Sequence, residues 1–199
     1  MQLQDAMDRL DQIHGHLTRS EVYRGFRVPT VALVGAVAIL AAGVQAKLPG
    51  IRDGSGFVGY WVAVAGIGGL LGTAAGVRSY FFREDEFARR RSRRVLFQFG
   101  PCLLAGGAVT VGVMQAGPGL VAFLPGIWGV VFGLGMIAAC PYLPRAVGPV
   151  GLGYVVAGSV LLICVRPATL PSAWAVGGLF GAGHFATALA LWFEGEDDA

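Results

Sequence analysis

Charge is what this sequence has least of. Only 14% of its 199 residues are Asp, Glu, Lys or Arg, against roughly 25% in an average soluble domain. Together with 55% hydrophobic residues and a mean hydropathy of +0.64, that shortage excludes disorder and argues against a soluble globule. Cysteine is scarce as well. Cys102, Cys140 and Cys164 are odd in number and show no C-x-x-C or Cys/His spacing, so neither a disulfide framework nor a metal site is expected. An apolar signal-peptide core is missing from the first 28 residues, which instead carry Asp5, Asp8, Arg9, Asp11, Arg19, Glu21, Arg24 and Arg27. No cleavable signal is expected, and the first apolar run should itself direct membrane insertion. Lys47 is the lone lysine among fifteen basic residues, an arginine bias in keeping with a GC-rich bacterial genome and an inner-membrane location.

What is abundant is long apolar sequence. A bilayer core of roughly 30 Å needs about 20 mostly apolar helical residues, because a helix satisfies its own backbone groups in lipid. Six segments meet that condition, at about 28–46, 57–77, 95–115, 125–143, 149–165 and 171–193. The sequence therefore predicts an all-α polytopic membrane protein with six transmembrane helices. Residues 1–24 form a separate region in this reading, 25–193 the membrane domain, and 194–199 an acidic tail. On alternate sides of the spans, basic residues divide twelve to three. Arg9, Arg19, Arg24, Arg27, the seven arginines from Arg78 to Arg94 and Arg145 face Lys47, Arg52 and Arg166. The positive-inside rule then puts both termini and the basic 78–94 loop in the cytoplasm of a plasma-membrane protein.

Tryptophan and glycine recur with a pattern. Trp61 precedes Gly66 and Gly68, Trp128 precedes Gly133 and Gly135, and Trp174 precedes Gly181 and Gly183. Leu124-Pro125-x-x-Trp128 also parallels Leu170-Pro171-x-x-Trp174, which suggests three copies of a two-helix hairpin. The even spans carry small residues four apart: Gly68, Gly72 and Gly76; Gly129 and Gly133; Gly177 and Gly181. Such spacing lets backbones approach closely, so spans two, four and six are expected to form the tight interior, and leucine at Gly72 to disturb it.

Chemistry has few places to reside. No Asp, Glu, Lys or Arg occupies the central part of any span, which argues against an ion-coupled pump. His184 is the one ionisable side chain near a midplane, on the helical face of Gly177 and Gly181, with Thr187 one turn on. It is expected to be neutral and hydrogen-bonded, and it doubles as a candidate intramembrane polar site. Ser159 is a poor partner for it, because their depths differ by about 6 Å at 1.5 Å per residue. His14 and His16, two apart, point about 200° from each other on a helix and suit no shared metal.

The cytoplasmic face is richer. Leu3, Ala6, Leu10, Ile13 and Leu17 follow a three-four spacing that predicts an amphipathic helix, whose Asp5, Asp8 and Asp11 outweigh Arg9. This acidic balance favours packing on protein over lying on anionic lipid. Arg89, Arg90, Arg91, Arg93 and Arg94 form a candidate interaction cluster, against which the acidic helix or tail could dock. The aromatics at its start, Tyr80, Phe81 and Phe82, are read as an interfacial belt, so no nucleic acid partner is expected.

Three functional readings follow. The first is a non-catalytic membrane scaffold or accessory protein with a cytoplasmic protein partner or self-association. The second is a transporter or channel for a small neutral solute, lined by His184. The third, with least support, is an intramembrane enzyme. No cofactor is implied by any motif, and the lipid bilayer is the one partner every reading shares. A reporter enzyme active only outside the cytoplasm, fused after Ala199, should be silent in cells; activity there would reverse the topology.

Overall fold

A computed structural model describes residues 28–51, 54–82, 86–166 and 171–196, the side chains of 75–92 and 194–196 not being among those described. The predicted amino-terminal amphipathic helix and the last three residues of the acidic tail lie outside the described residues. Six helices carry the fold: α1 (Val28–Lys47), α2 (Gly54–Phe82), α3 (Glu86–Ala116), α4 (Leu124–Ala139), α5 (Val147–Cys164) and α6 (Ala173–Glu196). No strand occurs among the described residues. Each helix, with its flanking turns, contains a stretch long and apolar enough to cross a bilayer.

Burial is inverted relative to a soluble protein. Large side chains point outward, with Leu70, Phe97, Leu104 and Ile163 all more than two-thirds exposed, whereas Ala38, Ala41, Ala42, Ala139 and Ala188 are buried. Lipid tails are as apolar as leucine, so nothing drives leucine inward; small residues go inside because they let backbones meet. Each helix touches the next in sequence, α6 returns to α1, and α4 also reaches α6. The six helices thus make a closed circuit. Its most extensive seams join α4 to α5 and α1 to α6, and its slightest join is between α2 and α3.

The glycines explain both strong seams. A Cβ on Gly158 of α5 would stand 2.7 Å from the Val130 amide nitrogen and 2.8 Å from the Gly126 carbonyl oxygen of α4. In return, one on Gly133 would stand 2.6 Å from the Gly151 carbonyl oxygen, and one on Gly129 would be 3.2 Å from the Gly158 Cα. At the other seam, a Cβ on Gly177 would stand 2.7 Å from the Ala38 carbonyl oxygen, and one on Gly181 would stand 2.5 Å from the Ile39 side chain and 3.3 Å from the Gly35 carbonyl oxygen. The odd helices therefore supply half of each contact, through Gly35, Ala38 and Ala42 on α1 and Gly151 and Gly158 on α5. The expected interior of spans two, four and six is not the arrangement found. Gly68 meets only Val34 of α1, Gly72 has open space around it, and the side chain position of Gly76 lies outside those described.

Gly-x-Gly has a distinct use. Residues two apart on a helix face different neighbours. In α4, Gly133 meets α5 while Gly135 meets Phe99 of α3; in α6, Gly181 meets α1 while Gly183 meets Tyr154 of α5. Both helices are wedged between two others. The matching pair in α2 is unlike these, since Gly66 faces open space. Trp174 is 53% exposed whereas Trp61 is buried, and the strongest seams cross the hairpin boundaries. The three sequence-related hairpins thus sit in unequal surroundings.

Two connections differ from the sequence reading. Residues 78–82 and 86–94, expected as parts of a loop, are helical, since α2 runs on to Phe82 and α3 begins at Glu86. No glycine or proline interrupts residues 77–99, and Arg, Glu and Ala favour helix. At 29 and 31 residues, α2 and α3 are about 43 and 46 Å long, well beyond a core of roughly 30 Å. The second difference is Pro118–Phe123, expected as a linker and found as a 3-10 helix. Gly117, at φ 131°, adopts the positive dihedral that turns the chain there, and Val121, 1% exposed, drops into the core.

Gly133→Leu or Gly158→Leu should force the α4–α5 seam apart and cost about 2 kcal/mol or more, whereas Gly72→Leu should leave thermal unfolding in detergent nearly unchanged. Equal melting temperatures for all three variants would refute this assignment of the seams.

Candidate functional site

Two polar and aromatic clusters lie in the bundle, one toward each end. At the tryptophan end, where α1 finishes and α2 and α4 begin, Gln45 is the key residue. It is 1% exposed. A buried amide in a membrane protein must have its groups paired. The Gln45 Nε2 donates to the Ile51 carbonyl oxygen at 2.8 Å and its Oε1 accepts from the Trp61 indole at 2.7 Å. Tyr60 donates to the Ala41 carbonyl oxygen at 2.7 Å, and the Trp128 indole donates to Thr110 Oγ1 at 2.8 Å. Phe57 joins the two tryptophans, lying parallel to Trp128 with ring centres 6.4 Å apart. Every polar tip has a partner, so this cluster is a tie between α1, α2, α3 and α4. Trp61 and Trp128 each bind a polar residue near the end of the preceding helix, a feature Trp174 does not share among the described residues.

The second cluster contains His184. Its Nδ1 lies 2.7 Å from the Phe180 carbonyl oxygen one turn back and 3.0 Å from the Tyr154 hydroxyl. Because a carbonyl oxygen can only accept, the imidazole carries its proton on Nδ1 and presents Nε2 as an acceptor. Tyr154 also donates to the Phe180 carbonyl oxygen, at 3.2 Å. Nε2 has no hydrogen-bond partner among the described residues. Every fully buried side-chain nitrogen and oxygen described does have one, so Nε2 is not sealed off. Phe132 is the hub of the surrounding rings. Its ring centre is 5.2 Å from Phe99, 5.0 Å from Tyr154, 5.3 Å from Phe180 and 5.8 Å from His184. Four helices therefore converge on one phenylalanine.

Tyr154 reaches this place because Gly183 leaves room: a Cβ there would overlap the phenol ring. Thr187, the companion expected for His184, instead donates to the Gly183 carbonyl oxygen of its own helix at 2.8 Å. It does not join the histidine network. The α5 side chain bonded to His184 is Tyr154 rather than Ser159. Gln45, Phe132 and Tyr154 escaped the sequence reading, although a lone amide or phenol within an otherwise apolar span is a visible signal. Cys102 adjoins Gly135 and Cys140 adjoins Gly148, all three cysteines are free thiols, and no group of three His, Cys, Asp or Glu among the described residues is placed to hold a metal ion.

The basic end carries a cleft of about 680 Å³ lined by Arg93, Arg94, Phe97, Gln98 and Tyr142. Arg94 lies over the Tyr142 ring, its Cζ 5.9 Å from the centroid, a cation–π geometry. The side chains of Arg89, Arg90 and Arg91 lie outside those described. A second cleft, of about 320 Å³, opens at the other end between α4, α5 and the start of α6, with Arg166 and Ser172 among its lining. His184 lines neither of these two clefts.

No protein-family model, curated protein or solved structure matches this chain. Its function has to be argued from these clusters and clefts. Tyr154→Phe should cost about 1 kcal/mol, the scale of one interhelical hydrogen bond, while Phe132→Ala, which empties the hub, should cost about 3 kcal/mol or more. Thermal unfolding of the purified variants checks the order; a Phe132→Ala protein no less stable than Tyr154→Phe would remove the hub.

Proposed function

We propose that this multi-pass membrane protein is a non-catalytic scaffold or accessory protein, anchored by its six helices and engaging a protein partner on the cytoplasmic side. The observation that carries the reading is the length of α2 and α3. At 29 and 31 residues both exceed the about 20 that a bilayer core needs, and the surplus includes the arginine-bearing stretches 78–82 of α2 and 86–94 of α3. Extended beyond the bilayer, these helix ends would offer a partner a surface with a strong positive field, Arg89, Arg90 and Arg91 among its residues. The twelve-to-three distribution of basic residues supports its cytoplasmic orientation, and arginine dominance supports a bacterial inner membrane.

The interior supports the same reading. Glycine seams and the Phe132 hub fill the space between helices, and the polar groups at the tryptophan end are spent on one another. A second reading, passage of a small neutral solute, draws on one observation: His184 Nε2, within the span, has no hydrogen-bond partner among the described residues.

The two readings part in one pair of measurements. A photocrosslinking residue at position 90 in living cells should yield an adduct with a single protein, lost when Arg89 and Arg91 become glutamine. Vesicles reconstituted with the protein should swell in small neutral solutes no faster than empty vesicles. Swelling that depends on His184, abolished in His184→Leu, together with no adduct, would replace the scaffold by the channel.

A further inference from the structure

We propose that the cleft at the foot of α3 is a binding site for an anionic phospholipid, taking the headgroup phosphate between Arg93 and Arg94. Depth is the first argument. Arg93 and Arg94 stand directly before the uncharged run that opens at Val95 and lasts to the end of α3, so the cleft lies at the level of lipid headgroups. Composition is the second: two guanidiniums and the Gln98 amide offer donors to a phosphate, and guanidinium groups bind phosphate oxygens through paired N–H bonds. Basic pockets at the cytoplasmic ends of transmembrane helices are known takers of anionic headgroups.

The apolar wall identifies the rest of the ligand. Phe97 lines the cleft yet is 74% exposed, and it begins a stripe at seven-residue spacing with Leu104, 77% exposed, and Val111, 56% exposed. Seven residues are close to two helical turns, so the three lie along one face of α3. That helix is the least buried of the six spans. An acyl chain can therefore run from the cleft along α3 without displacing protein. Pro101 adds a polar feature beside this wall, because it has no N–H to close the helical hydrogen bond to the Phe97 carbonyl. A headgroup bearing hydroxyls, such as phosphatidylglycerol, suits this set better than choline, whose quaternary ammonium two arginines repel.

Native mass spectrometry of the full chain in detergent, with equal phosphatidylglycerol and phosphatidylcholine added, tests the site. One phosphatidylglycerol should be retained per chain, and Arg93→Gln with Arg94→Gln should weaken retention about tenfold or more. Lys47→Gln with Arg166→Gln, which removes two charges at the opposite end, should leave it unchanged. Arg93→Lys with Arg94→Lys keeps the charge while losing the planar fork, and should bind about threefold more weakly; it serves if the glutamine pair does not fold. Equal retention of both lipids, or equal loss in the two charge-removing pairs, would reduce the site to diffuse attraction and overturn the proposal. Displacement of the lipid by inorganic phosphate alone would overturn it in favour of a free anion. A crosslink from position 11 into residues 93–98 of the full chain would overturn it in favour of the acidic amino-terminal segment.

Discussion

In hydrocarbon, helices gain nothing from hiding apolar side chains, so cohesion depends on how closely their backbones can approach. Everything else in this bundle follows from that constraint. At the α4–α5 seam Gly126, Gly129 and Gly133 meet Gly151 and Gly158, and at the α1–α6 seam Gly35, Ala38 and Ala42 meet Gly177 and Gly181. Side chains larger than alanine would hold these helices apart, and the dispersion energy of contact falls steeply with distance. With the two seams closed, large residues are turned outward to lipid and the few polar ones are gathered between helices.

That gathering gives each end of the bundle its own character. At the tryptophan end Gln45 can be buried only because Trp61 and the Ile51 carbonyl saturate it. Nearer the basic end, His184 is held by its own helix and by Tyr154, and Tyr154 is admitted by the absent side chain of Gly183. Close packing and polar satisfaction are thus one requirement here: the glycine that lets a ring in also delivers its hydroxyl. The arginines follow a separate rule, collecting at the end of α2 and the start of α3, outside the apolar runs.

Several features could be read from residue order and several could not. Six helices apolar enough to cross a membrane were legible, because apolar length is a local property. The helical nature of 78–82 and 86–94 was obscured because charge is read as loop, although those residues contain no breaker. The even-numbered glycines were conspicuous, but their partners on α1 and α5 were not: Gly35, Ala38 and Ala42 resemble ordinary span composition until a second helix is laid on them. Gly72 shows the converse, with the right spacing and no neighbour. His184 stood out by its chemistry, while Phe132, which organises its surroundings, looks like any other span phenylalanine.

The residue order alone determined the solvent, the number of crossings and the end at which the arginines collect. Those properties add up along the chain, since insertion into lipid responds to each segment's own apolar length and flanking charge. Which helices pair, which glycines matter, and which tyrosine meets His184 were decided by the tertiary structure. A small-residue face does not name its partner, and where no difference in hydrophobicity favours one neighbour over another, shape complementarity between surfaces far apart in sequence makes the choice.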